Sequence, residues 1–441
     1  MEVFHVVLGK TGWLGVNYMS ILQNLLRDVP IPQMVKIRQK FDDSHIENID
    51  AALKVEWQRA KVSELVKPGM EIAVAVGSRG IDRIAAITKA TVAYLQELGA
   101  KPFIVPAMGS HGGATAEGQC MVLQHLGITE ASVGAEIRSS MNVEQIGELQ
   151  CGLPVYMDRH ASLADGIVVI NRVKPHTAFR GPVESGLLKM ISIGLGKQKG
   201  AEAVHLFGFQ HMAENVPAMA KVMLQKRPIL FGIATVENAF DKAAIISVVT
   251  PDRMEQEEIK LLQLAKEMMP RFYFDQIDVL IVDEIGKDIS GDGMDPNVTG
   301  RYGTPYAHGG PDVNKIVVRD LSKRTGSIGF GIGMADLTTQ RLVDKISTEE
   351  MYVNALTTGN FAPTKIPTVL PNDKLAIQAA IKSANLLDLR QVRLVRIKNT
   401  LTLSEILVSE AMLSEVSGHP LMELAGGPQA MKFDADGYLL D

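Results

Sequence analysis

The sequence predicts an α/β protein built as two α/β domains with mostly parallel sheets. Three observations predict it. Strands and helices alternate from residue 71 onward, the strands are short β-branched runs suited to burial on both faces, and the alternation stops and restarts near residue 270. A chain of 441 residues has room for more than one core, and 46% apolar with 22% charged residues is a globular composition.

The elements follow in order. Residues 72–76 form an apolar run that ends in Gly77-Ser78-Arg79-Gly80, and residues 81–98 carry Ile84, Ile87, Val92 and Leu95 at helical spacing before Gly99. A second strand at 102–105 leads into Gly109-Ser110-His111-Gly112-Gly113 and a helix over 115–126. A strand at 166–170, a helix at 197–206, a strand at 229–236 and a helix at 255–268 continue the pattern, and Met269-Pro270 ends it. The expected domains are therefore residues 1–270 and 271–441. The second block reads as strands at 278–282, 315–318, 326–331 and 392–397, with helices near 347–356 and 374–384. Thr402-Leu403-Ser404-Glu405 reads as a capping box opening a last helix that Gly418 and Pro420 stop.

Composition narrows the function. Lys and Arg total 45 against 50 Asp and Glu, for a net charge of −5 with no basic stripe, so nucleic acid is not an expected partner. The only cysteines, Cys120 and Cys151, form no CxxC; that excludes a disulfide framework and a cysteine-built zinc site, and fits a reducing compartment. The N-terminus has no basic n-region, residues 18–26 are too short and polar for a signal core, and no long apolar run occurs. No export and no membrane span are expected, and the cytoplasm is the expected location.

In open parallel sheets ligands bind beyond the carboxyl ends of strands. Gly77-Ser78-Arg79-Gly80 suits a phosphate, through amides, a hydroxyl and a guanidinium, or is a glycine-rich turn with a surface arginine. His111 sits between glycines that let a ligand approach the backbone, or is a solvated turn histidine. The segment from Asn171 to Gly181 adds three basic groups and His176, and runs on to Lys189 in an apolar, glycine-punctuated stretch. Lys189 is either a desolvated nucleophile or covalent anchor, or a lysine snorkelling from a helix edge. His205 closes the segment. In the second block, residues 286–297 follow a buried strand and hold several carboxylates but lack the spacing of a calcium loop, and read as a substrate-facing loop.

Together these segments resemble the nickel-dependent lactate racemase family, whose enzymes carry a nickel-pincer nucleotide. Ser78 and Arg79 fall at the family's phosphate-binding hydroxyl and arginine, and Gly109-Ser110-His111 and Pro175-His176 resemble the contexts of its two catalytic histidines. Lys189 matches the lysine that attaches the cofactor, and His205, 16 residues on, matches the nickel ligand. Two departures stand out. Val76 and Gly80 replace an acidic residue and a proline of the first loop, and the substrate-binding Gln and Lys of the lactate enzyme are missing after Asp295-Pro296-Asn297. The resemblance then implies a racemase or epimerase of a 2-hydroxy acid other than lactate. It implies hydride transfer from C2, with His111 and His176 as acid/base and a cleft between the domains as the active site; in place of the missing residues, Arg301 is expected to take the substrate carboxylate by its bidentate geometry, with Asn297 as a further substrate contact. The residues 1–270 domain would hold the cofactor, supplied by its biosynthetic proteins, and residues 271–441 would contribute substrate contacts. Open alternatives are a nucleotide- or phosphate-binding enzyme without pincer chemistry and a non-catalytic cofactor-binding relative. The oligomeric state is left open.

Overall fold

The computed structural model describes residues 18–78 and 80–440. It is an α/β structure with two mixed, mostly parallel sheets.

The first sheet orders its strands Lys101–Pro106, Glu71–Val76, Gly166–Arg172, Ile229–Glu237 and Ala243–Val249. The first four run parallel and the last returns antiparallel. Helices cover both faces, so residues 73–76 and 167–170 are fully buried and read as continuous apolar runs. Successive side chains still alternate. Ile72, Val74 and Val76 pack with Leu53, Trp57, Ile87 and Leu95, whereas Ala73 and Ala75 face Met219, Met223 and Leu261 on the other side. A hairpin of Val143–Glu148 and Pro154–Asp158 lies outside the sheet, its second strand packed on helix Lys197–His205.

The second sheet orders Thr368–Leu370, Leu337–Thr339, Asp312–Leu321, Gln276–Ile285, Leu394–Ile397, Glu405–Ser409, Met34–Gln39 and Met422–Leu424. Its first five strands are parallel and the last three antiparallel.

The structure departs from the sequence expectation in three places. Met34–Gln39 precedes residue 270 yet belongs to the second sheet, burying Val35 and Ile37 there while Lys36 and Arg38 pair with Glu405 and Glu423 at the surface. A cut at residue 270 alone therefore does not separate the two sheets. The strand expected at 326–331 is a loop: Gly326 and Gly331 hold φ of +65° and +102°, and a Cβ on Gly331 would stand 1.7 Å from the Asp292 carbonyl. The Thr402–Glu405 capping box opens no helix. Glu405–Ser409 is a strand whose Ile406 and Val408 bury against Ile37, Val35 and Val395, and the helix begins only at Leu413. Pairing on both edges outweighs a local cap.

Candidate active site

The carboxyl ends of the first sheet's strands present three loops side by side. In the loop after Glu71–Val76, a Cβ on Gly77 would stand 2.9 Å from Met190 Cε, so glycine there admits the segment that follows Lys189. The Ser78 hydroxyl is hydrogen-bonded to His111 Nδ1, and His111 is exposed. Arg79, expected to contact phosphate, lies outside the described residues.

The His111 loop is fixed from beneath. Gly109, at φ +58°, donates its N–H to Gly194 O at 3.2 Å. Gln119 Nε2 donates to Gly109 O at 2.9 Å and His111 O at 3.2 Å, and its Oε1 accepts from Lys197 Nζ at 2.8 Å. Lys197 is fully buried, donates also to Pro106 O and pairs with buried Asp158 at 3.4 Å. Desolvation lowers the Lys197 ammonium and raises the Asp158 carboxyl, and their mutual attraction opposes both shifts. The sequence reading passed over Gln119, Asp158 and Lys197. The available signal was a lysine directly after Gly194-Leu195-Gly196, in a stretch already marked as apolar.

The third loop, after Gly166–Arg172, is pinched by paired backbone bonds between Lys174 and Ser185. Within it the His176 N–H donates to buried Glu184 at 2.7 Å, and Ala178 N–H donates to His176 Nδ1 at 3.0 Å. A backbone N–H can only donate, so Nδ1 carries the lone pair and a neutral ring holds its proton on Nε2. Phe179 packs on this ring at a centroid distance of 4.4 Å. Burial, then the charges of Lys189, His205, Lys174 and Arg180, hold His176 well below the ordinary histidine value, so it is neutral.

Lys189 ends a helical turn, Leu187–Lys189, that widens at once into a π-helical turn, Met190–Gly194. Such widened turns recur at functional sites. Its Nζ stands 3.5 Å from Ser185 Oγ. His205, at the end of helix Lys197–His205, is lowered to about 4 by burial and then by Lys189. Its Nδ1 is buried without a hydrogen-bond partner, and Phe209 meets its ring edge-to-face at 5.2 Å. The structure thus gathers His176, Lys189 and His205 into one electrostatic neighbourhood. His111 and Ser78 form a separate pair, linked to it through the Gly109–Gly194 bond.

Arg180 joins this edge to the second sheet. Its guanidinium donates to His176 O at 2.6 Å and Glu184 at 3.2 Å, and across to Asn297 Oδ1 at 2.5 Å, Tyr302 Oη at 2.8 Å and His308 O at 2.9 Å. Asn297, expected to contact substrate, therefore sits against the His176 loop. Arg301 does not. Its guanidinium is held by Asp336 at 3.2 Å and by Val313 O at 2.9 Å, so a role in binding substrate carboxylate is not what its geometry serves. A cleft of about 630 Å³ opens beside His205, lined from one side by Leu206, Phe209 and Gln210 and from the other by Thr304, Tyr306 and Asn360.

Among the described residues no group of three or more His, Cys, Asp or Glu could hold a metal, and both cysteines are unpaired. A metal at His205 would need its other donors from a bound cofactor. The orphaned His205 nitrogen beside a lysine fits that arrangement, with one neutral imidazole ligand and one covalent anchor. No helix among the described residues is long and apolar enough to cross a membrane.

Residues 24–216 match the family described as the lactate racemase N-terminal domain. Among solved structures, the lactate racemase apoprotein from Thermoanaerobacterium thermosaccharolyticum is similar at a TM-score of 0.41 and 14% identity, covering 65% of this chain and 74% of that one. No curated protein sequence matches the chain.

Proposed function

We propose that this chain, whose residues 24–216 match the lactate racemase N-terminal domain family, is a racemase or epimerase of a 2-hydroxy acid that uses a nickel-pincer nucleotide. The observation that carries the reading is the neutral, unpartnered His205 nitrogen beside Lys189 and His176 at one sheet edge.

Lys189 would anchor the cofactor covalently, His205 would ligate nickel, and the Ser78 hydroxyl with the loop amides would hold the phosphate. When bound, the group supplies a reversible acceptor for the C2 hydrogen as hydride. Removing that hydrogen as a proton would place a second negative charge beside the carboxylate, so hydride loss is the easier course. The chain's own residues then manage the hydroxyl proton. His176, neutral with its proton on Nε2 and Nδ1 satisfied by Ala178, would donate a hydrogen bond that orients the C2 oxygen. His111, whose Ser78 partner can either donate or accept, would take the hydroxyl proton and return it. The residues lost relative to the lactate-specific pattern favour a 2-hydroxy acid other than lactate.

The test is coexpression with the cofactor-biosynthesis proteins, followed by intact-mass and nickel analysis and by C2 deuterium exchange over a panel of 2-hydroxy acids. The expected result is stoichiometric nickel with an adduct on Lys189 and exchange with at least one acid. Protein without the adduct under those conditions overturns the reading.

A further inference from the structure

The turn that carries Lys189 begins at Gly186, which has no side chain to cap it. The cap arrives from elsewhere. Glu258, on helix Met254–Met268, places its carboxylate over the start of the turn and accepts the Leu188 N–H at 2.9 Å. The Leu187 N–H also acts on the same carboxylate. Gly186 is extended, at φ 177°, so its backbone does not demand glycine. Space does: a Cβ there would stand 2.3 Å from Glu258 Oε1 and 2.4 Å from its carboxyl carbon. The glycine and the glutamate are thus two halves of one device. Asn171 Nδ2 closes it from the sheet side by donating to Gly186 O at 2.6 Å.

We propose that Glu258 is a positioning residue for Lys189: its carboxylate supplies in trans the N-cap that Gly186 lacks, and so fixes where the lysine amine stands.

Stability does not explain this carboxyl. It is 1% exposed, its Oε1 has no hydrogen-bond partner, and desolvation raises it to about 7. An ionised group in that position opposes folding, and an apolar side chain would fill the space without that cost. What an apolar residue could not do is accept the N–H groups at the start of the Lys189 turn. The importance of that placement rests on Lys189 being the cofactor anchor.

The experiment reads Lys189 directly and needs no cofactor. The full chain and its Glu258→Leu, Glu258→Gln and Gly186→Ala variants are pulsed with acetic anhydride, and the acylation of Lys189 is mapped relative to exposed Lys61. Glu258→Leu and Gly186→Ala, which displaces the carboxyl by its added methyl, should each change the Lys189:Lys61 ratio about fivefold, the ratio one lost hydrogen bond carries. Glu258→Gln, whose amide oxygen still accepts the Leu188 N–H, should stay close to the parent. An unchanged ratio in Gly186→Ala, or a Gln variant shifted as far as the Leu variant, overturns the proposal. Because the labelling is cofactor-free, a parent protein that never forms the Lys189 adduct would overturn the proposed function and leave this result standing.

Discussion

The two sheets end in opposite ways. At the carboxyl edge of the second sheet a buried cluster of arginines is matched by carboxylates within the protein. Buried Arg319 reaches Asp283 at 2.7 Å and Asp373 at 2.9 Å, and Arg396 and Arg341 close the same carboxylates at 2.9 and 3.2 Å. At the carboxyl edge of the first sheet, cations press on two neutral histidines and one imidazole nitrogen has no partner. Both edges come from parallel strands with helices on both faces. A matched edge is a clamp that holds a fold. An edge with a deliberate mismatch is where an external group can be received.

The largest test of that contrast is at Lys189. Lys189→Ala should abolish adduct formation and turnover while leaving the thermal midpoint near the parent's, as read by intact mass and calorimetry. Retained adduct would mean that the first edge receives its ligand elsewhere. The matched edge should behave the other way round. Asp373→Asn leaves buried Arg319 short of a charge and should cost about 3–5 kcal/mol in denaturant unfolding, with little change in the rate constant per folded molecule.

The pH dependence sharpens the comparison through its sign. His205 titrates at about 4 folded against 6.5 as a free side chain, so the folded state binds fewer protons across that window. Stability from its burial is full above pH 6.5 and declines as pH falls toward 4. Glu258 titrates at about 7 folded against 4.5, so there the folded state binds more protons. Its contribution is full below pH 4.5 and is lost as pH rises through 7. Unfolding measured from pH 4 to 8 should therefore lose part of its acid-side decline in His205→Leu and part of its alkaline-side decline in Glu258→Gln. Each effect is bounded by about 1.4 kcal/mol per pKa unit. Slopes moved in the same direction by both variants would contradict the assigned environments.

The smallest expected effect separates two arginines. Arg301→Met removes a half-exposed pair with Asp336 and should change stability by under about 1 kcal/mol and KM hardly at all. Arg180→Met removes the strut between the His176 loop and Asn297 and should raise KM about tenfold through that loop's loss of position. If Arg301→Met instead raised KM tenfold in folded protein, its expected role in holding the substrate carboxylate would return.

Much of this was legible in the sequence because it was local. Gly99, Gly127 and Gly418 mark helix ends, and Thr115 caps the helix that follows His111, as its type and place predict. His111 and His176 stand out because polar groups in loops after apolar strands need a reason to be there, Lys189 because it lies in an apolar, glycine-punctuated stretch, and His205 through the family resemblance. What the sequence could not show depends on partners far along the chain. Met34–Gln39 lies before the alternation that the sequence shows from residue 71, and its place in the second sheet depends on Glu405 and Glu423 standing opposite Lys36 and Arg38. Asn297 and Arg301 are both plausible polar contacts four residues apart, and only the positions of Arg180 and Asp336 decide which one meets the His176 loop.

The sequence by itself determined the α/β class and the strand-end loops in which candidate residues gather, because both follow from short-range periodicity and residue type. Only the tertiary structure decided that His205 would be left without a partner, that a glutamate 72 positions beyond Gly186 would cap the Lys189 turn, and that one edge would be matched and the other not. Burial and charge pairing are properties of what surrounds a side chain, and the surroundings exist only once the chain has closed on itself.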